Sequence, residues 1–305
     1  MPNVWTHIHF AEDILDSVEH PDSFGLVTNF VNLGAQGPDP FFYHRFWPFL
    51  KNKEVDQVGM KLHTEKCGDF LLDLIEAGRT APLPVRAYIA GFVTHHILDR
   101  NTHPYIHYRA GYEGNNHQRL ETIIDTIILE RIRNIKTWKT PVYKEIDVGK
   151  HLNRGVIKVV EEAIKRHFPV LVEDLPAKFI QQSYRDMKLA LKILYDPYGW
   201  KNKLLRSLVS PFSHRPVSGD VDYLNECHTE WKHPATGEIR IDSFFELYDN
   251  ARKEGMEILT LLLHYWNEKE AILFNEIESL LSDISYDTGE PLHRKLTNQW
   301  SQPIV

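Results

Sequence analysis

Hydrophobic residues recur along this chain at the spacing of a helix. Trp5, Ile8, Ile14, Leu15 and Val18 share one face of a first predicted helix. Val58, Leu62, Phe70, Leu71, Leu74 and Ile75 outline another, with Gly78 as its C-cap. The stretch "LPVRAYIAGFVTHHILD" predicts a third, starting near Pro84 and ending just before "RNTHP"; "HQRLETIIDTIILERIRNI" predicts a fourth. Later helices are predicted over 148–167, 174–193 and 241–268. Two-residue alternation is scarce, with "GEIRID" at 237–242 a short exception. The pattern predicts an all-α fold with long loops at 33–50, 100–116 and 210–240, and it contains no internal repeat. Pro141 marks a boundary between a helical core over 1–140 and an extension over 141–305. Nothing there reads as a flexible linker, so the second half is expected to pack on the first, up to forming one continuous domain.

Composition narrows the function. The 305 residues suffice for one large domain or two ordinary ones. A formal charge of -7 argues against nucleic acid as a partner, because no basic surface dominates. The two cysteines, Cys67 and Cys227, lie far apart and outside any CxxC, so neither a disulfide framework nor a thiolate metal site is indicated. "MPNVWTHIHFAEDIL" has neither the basic nor the apolar region of a signal peptide. No apolar run reaches the roughly 20 residues that span a bilayer. The expectation is a soluble, cytoplasmic protein; its oligomeric state leaves no mark on the sequence.

Histidine changes the picture. Ten of the seventeen histidines precede residue 120, which places candidate chemistry in the N-terminal half. In "HHILDRNTHPYIH" (95–107), His95 and Asp99 stand four apart and leave one helix face a turn from each other. Alone, such a pair is more often a histidine bonded to a structural carboxylate. The pattern returns, however, as His117 and Glu121 on the next helix, with Asp125 a turn further on. His103, before Pro104, lies between the two pairs. Two helices that each present an imidazole and a carboxylate favour a metal site over a buried polar network. His96 sits about 100° round the helix from His95 and reads as a packed residue; His107 is either a ligand or a loop cap. Upstream, Asp39 lies between two prolines in a stiffened loop, "GPDP". His63 falls on a helix, where a lone histidine is usually a satisfied core residue. His7 and His9 are two apart, so at most one can face a given site.

These ligands are imidazole and carboxylate without sulfur, a set that suits zinc, with manganese and iron as alternatives. They are too many for one tetrahedral ion and suit two or three ions about 3.5–4 Å apart.

"THHILDRNTHPY" and "NNHQRLETIID" resemble the zinc-dependent phospholipase C family, whose secreted bacterial members are trinuclear zinc enzymes related to the P1 and S1 nucleases. The resemblance covers about residues 1–130 and rests on order and spacing. It implies a multi-helix phospholipase C/P1 nuclease-like bundle, extended here by C-terminal helices. It implies Asp39, His63, His95 and Asp99 around a first ion and His103, His117 and Glu121 around a second. His7 matches the histidine of the family's first helix. "GAQGPDPFF" and "LDRNTHPY" look most like an intracellular, hydrolase-like branch. Two departures stand out. Secreted members hold their third zinc through a processed N-terminal tryptophan, whereas Trp5 here is internal, so two zinc ions are expected and the third is in doubt. The family's loop histidine position is Ile106 here, flanked by His103 and His107; His103 is preferred because it lies nearer the metal-bearing helix.

The expected function is hydrolysis of a phosphoester, as a phospholipase C-like enzyme or as a phosphodiesterase or phosphatase, with a small phosphoester or a phospholipid as substrate. Asp39 is the expected general base, and Asp125 is expected to orient a histidine from outside the ligand set. The alternatives are a metal-binding helical protein without turnover and an HD-type phosphohydrolase, whose adjacent His-Asp pair this sequence lacks. Paired ExxH motifs of di-iron bundles appear only as "EWKH" and "EPLH" in loop-like surroundings. No GxSxG, HExxH or P-loop pattern occurs. "NECHTEWKHPATGE", with His228, Trp231 and His233, reads first as a structural aromatic loop and second as a substrate wall.

Overall fold

A computed structural model describes residues 4–18, 24–47, 53–205, 208–268 and 270–305. Among them are twelve α-helices and two short strands, an all-α fold. The helices are α1 (Val4–Ser17), α2 (Thr28–Gly34), α3 (Lys53–Thr64), α4 (Cys67–Gly78), α5 (Leu83–Ala110), α6 (Asn116–Arg133), α7 (Arg154–His167), α8 (Pro169–Val172), α9 (Phe179–Leu194), α10 (Trp200–Leu205), α11 (Phe244–Glu268) and α12 (Ala271–Leu281). The strands Trp231–Lys232 and Ile239–Arg240 pair antiparallel, with Trp231 opposite Arg240.

α5 is the axis of the molecule. It packs against α1, α2, α4, α6, α7 and α11. Surrounded in this way, it is buried almost all round, from Val85 to Ala110. A helix of this kind has no polar face and so no clear amphipathic phase. One hydrophobic cluster joins α1, α4, α5, α6, α7, α9, α11 and α12, and so crosses residue 141. No helix among the described residues is long and apolar enough to cross a membrane.

Three local expectations are corrected. α5 does not end before "RNTHP" but continues through Pro104 to Ala110, which removes most of the loop expected at 100–116. Pro104 deprives the Arg100 carbonyl of its helical partner. Burial of Tyr105, Ile106 and Tyr108 offsets that loss. The residues from Val58 to Ile75 form two helices, because the backbone turns left-handed at Lys66 (φ 51°). The expected loop at 33–50 contains a 3₁₀ turn, Asp39–Tyr43; residues 48–50 lie outside the described residues. Within 210–240, Trp231 and His233 are buried. The indole N–H of Trp231 donates to the Asp242 carbonyl at 3.0 Å, and His233 Nδ1 accepts from the amides of Ala235 and Thr236. Both side chains are taken up in the packing and hydrogen bonding of the loop itself.

Candidate metal centre

Helical continuity through Pro104 places His95, Asp99 and His103 on one stripe of α5, at successive four-residue steps. α6 brings His117 and Glu121 opposite that stripe, α1 brings His7, and the last turn of α3 brings His63. Asp39 enters from the start of its 3₁₀ turn. All eight residues expected as ligands thus surround one site.

Asp99 lies at its centre. Its carboxylate is 3.1 Å from His95 Nε2, 3.3 Å from His7 Nε2, 3.5 Å from His103 Nε2 and 3.9 Å from His63 Nε2. Asp39 Oδ1 lies 3.5 Å from His63 Nε2 and 3.8 Å from His95 Nε2. Glu121 Oε1 lies 2.7 Å from His117 Nε2 and 3.9 Å from His103 Nε2. Three groups have ligand atoms within 4.8 Å of one another: His7, His95 and Asp99; Asp39, His63 and His95; His103, His117 and Glu121. Ligand atoms about 3.3 Å apart are what a tetrahedral ion with bonds near 2.0–2.1 Å requires.

Backbone carbonyls fix the orientation of three of the rings. His63 Nδ1 donates to the Gly59 carbonyl (2.7 Å), His95 Nδ1 to the Ala35 carbonyl (2.9 Å) and His103 Nδ1 to the Tyr286 carbonyl (2.9 Å). A carbonyl can only accept, so each Nδ1 carries the proton and each Nε2 keeps its lone pair. Gly37 brings the Asp39 turn against the His95 ring. Its φ of +49° suits glycine, and a Cβ there would stand 2.3 Å from the ring. The buried Nε2 atoms of His7, His63, His95 and His103, both oxygens of Asp99 and Oδ1 of Asp39 have no hydrogen-bond partner. Native interiors seldom leave such atoms unsatisfied, and so many in one cluster fit divalent cations.

The electrostatics agree. Burial holds His103 and His117 well below the usual imidazole range, and neighbouring histidines push the same way. Burial and His95 lower His7. At Asp99, burial alone would raise the carboxyl, but His103 and His95 together carry it well below the usual range. His63 is the exception: burial lowers it, but Asp39 outweighs that and raises it. Lone pairs on nitrogen and charge on oxygen are the states that bind metal.

Other candidates fall outside the cluster. His9 points away and accepts from Arg133 Nε at 3.0 Å. His96 donates from Nε2 to the Ile284 carbonyl, as a packed residue does. Asp125 accepts from the amides of Trp5 and Thr6, from the Thr6 hydroxyl and from His214 Nε2. It therefore fixes the start of α1, and orients no ring of the cluster other than through that helix. His107 stands at the rim, its Nε2 3.9 Å from Asp287 Oδ1.

Two residues escaped sequence reasoning. Tyr286 seals the cluster: its amide donates to the His63 carbonyl at 3.0 Å, and its ring lies 5.0 Å from His63 and 4.4 Å from His96. Asp287 Oδ1 lies 3.7 Å from His103 Nδ1, and with His103 and His107 it forms a fourth group able to hold a cation. Both sit in the turn after α12, more than 160 positions beyond Glu121 in the sequence, where no spacing announces them.

Fold and site together define a helical protein built around a buried histidine–carboxylate cluster that could hold metal ions. The family model of zinc-dependent phospholipase C matches residues 6–170, more than half of the chain. The chain belongs to that family. No curated protein and no solved structure matches it significantly. The eight clustered residues fall inside the matched span, while Tyr286 and Asp287 lie beyond it.

Proposed function

We propose that this protein is a zinc-dependent hydrolase that cleaves a phosphoester with an activated water. The observation that supports this most is the set of buried, partnerless Nε2 and carboxylate atoms converging from α1, α3, α5 and the Asp39 turn. In this reading Asp39, His63, His95 and Asp99 hold one ion, and His103, His117 and Glu121 hold a second. His7 with Asp99 offers part of a third position. His103 is preferred to His107 as a ligand because its Nε2 faces both Asp99 and Glu121.

When bound, divalent ions supply Lewis acidity toward phosphoryl oxygens and lower the pKa of a coordinated water toward about 7. The chain's own residues do the rest. Asp39, whose carboxylate faces His63 and His95, would accept the proton of the attacking water. The carbonyls of Gly59, Ala35 and Tyr286 keep the three rings in one tautomer, so no reorganisation is needed at the moment of reaction. The substrate class is a phosphoester, either a phospholipid headgroup or a small soluble ester.

The test is elemental analysis of the purified protein followed by a panel of phosphomonoesters, phosphodiesters and phospholipids. The expected result is about two zinc ions per chain, as two-metal hydrolysis requires, with turnover of at least one class. Bound metal without any turnover would favour a metal-binding protein. No metal uptake at all would overturn the site.

A further inference from the structure

An acidic chain has one long stretch almost without acid. Between Met187 and Gly219 the sequence holds six basic residues, Lys188, Lys192, Lys201, Lys203, Arg206 and Arg215, against one carboxylate, Asp196. Asp196 is no part of the surface: it is buried and accepts from the amide and side chain of Asn202. Lys188 is paired with Asp147 at 2.8 Å and Lys201 is taken up by backbone carbonyls, which leaves Lys192, Lys203 and Arg215 as the exposed described cations of this stretch.

The same stretch displays apolar side chains to solvent. Tyr198 is 89% exposed, Trp200 55%, Leu204 72% and Leu208 73%, with Leu205, Leu189 and Ile193 also exposed. Scattered exposed leucines need no explanation, but a run of aromatic and aliphatic residues on one segment does. The segment is built to hold this face outward. Lys201 Nζ donates to the carbonyls of Ile193 and Tyr195, which ties α10 to the end of α9, and lies 5.7 Å over the Trp200 ring.

Its position bears on the site. Downstream, the 3₁₀ turn Ser210–Phe212 packs on α6. Thr122, next to Glu121, donates its hydroxyl to the Pro211 carbonyl at 3.1 Å, and His214 meets Asp125 at 3.0 Å. The exposed face is thus anchored within one turn of a candidate metal ligand.

We propose that the exposed side chains of Tyr198, Trp200, Leu204 and Leu208 form a peripheral docking surface for an anionic phospholipid bilayer. Tyr198 and Trp200 are the residue types that settle at the headgroup level, Leu204 and Leu208 supply the apolar contact, and Lys192 and Lys203 meet anionic headgroups. Charge complementarity selects this occupant: the chain as a whole is acidic, and this is where its charge reverses. Docking here would set α6, the helix that carries His117 and Glu121, beside a lipid surface, which deepens the hydrolase reading by naming where its phosphoester is met. Binding is read without turnover, so failure of the docking and failure of the hydrolysis are distinguishable.

The experiment is flotation of the full-length protein with phosphatidylcholine vesicles, with and without about a fifth phosphatidylserine. The expected result is flotation that depends on phosphatidylserine and weakens at high salt, since surface charges are screened beyond about 8 Å at physiological ionic strength. Trp200→Ala combined with Leu204→Ser and Leu208→Ser, and separately Lys203→Glu, should each lower the bound fraction severalfold while the melting curve stays unchanged. These side chains are mostly exposed, so their replacement removes little packing. Absence of flotation, or flotation indifferent to both variants, overturns the proposal. So does a concentration-dependent dimer that Leu204→Ser dissolves, which would assign the face to a second copy.

Discussion

His103 and Tyr286 stand 183 positions apart, and the ring N–H of His103 donates to the backbone oxygen of Tyr286 at 2.9 Å. The C-terminal turn thus sets the tautomer of a residue on the central helix. Gly289 lets it come close: at φ +63° its Cα lies against the Arg100 carbonyl, which Pro104 has left without a helical partner. A Cβ there would stand 2.2 Å from that oxygen. Gly289→Val should therefore displace the turn and cost about 1–3 kcal/mol, the scale of a strained backbone site. The expected outcome is a lower melting temperature and weaker retention of the second ion in a chelator competition. Full metal retention would mean that the turn is not what holds His103.

Metal removal should destabilise the whole protein. Without ions, Oδ1 of Asp39 and both oxygens of Asp99 lie buried together without a hydrogen-bond partner. An ion present at about a hundred times its dissociation constant stabilises the folded state by about 2.7 kcal/mol. Chelation, with metal loss confirmed by elemental analysis, should lower the melting temperature by several degrees, and added zinc should restore it. An unchanged curve would place the cluster outside the cooperative core.

How much of this was legible depends on distance along the chain. The spacing of His95 with Asp99 and of His117 with Glu121 is written into single helices, and it shows without a structure. The joining of Asp39, His63 and His7 to them followed from family order rather than from pattern. The end of α5 is hidden in the sequence because its burial all round erases the amphipathic signal just where Pro104 mimics a stop. The break between α3 and α4 falls on Lys66, a residue type that gives no sign of a left-handed turn. Tyr286 and Asp287 were out of reach because each is one residue in a turn and acts through a tertiary contact.

Acid should weaken the fold in a defined window. Burial lowers His9 and His233 from the ordinary 6.5 to about 4, and holds His96 well below its usual range. In the unfolded chain these groups take up protons near 6.5, but in the folded chain they stay neutral. As pH falls from 6.5 toward 4, the unfolded state binds more protons, and stability drops throughout that interval. His63, which is raised, works in the opposite direction but is only one group. With chelator present, the melting temperature should fall steadily between pH 7 and 4.5. A flat profile would mean that these histidines are not neutral and buried in solution.

The last prediction separates chemistry from metal holding. Asp39 stands at the start of a turn held against the His95 ring, with one carboxylate oxygen directed at His63 and His95. Glu121 sits on α6 beside His117. Asp39→Asn keeps the shape and one oxygen ligand but removes most of the basicity. It should leave the second ion bound while lowering phosphoester turnover by about 10²-fold or more, the usual scale for loss of a general base. Glu121→Ala removes a carboxylate from the second group and should lower zinc content together with turnover. Measuring metal and rate on the same preparations tells the two roles apart. If Asp39→Asn stays fully active, another group takes the proton. If Glu121→Ala keeps a full complement of zinc, the second ion is held without α6, and Asp287 with His107 becomes the set to examine.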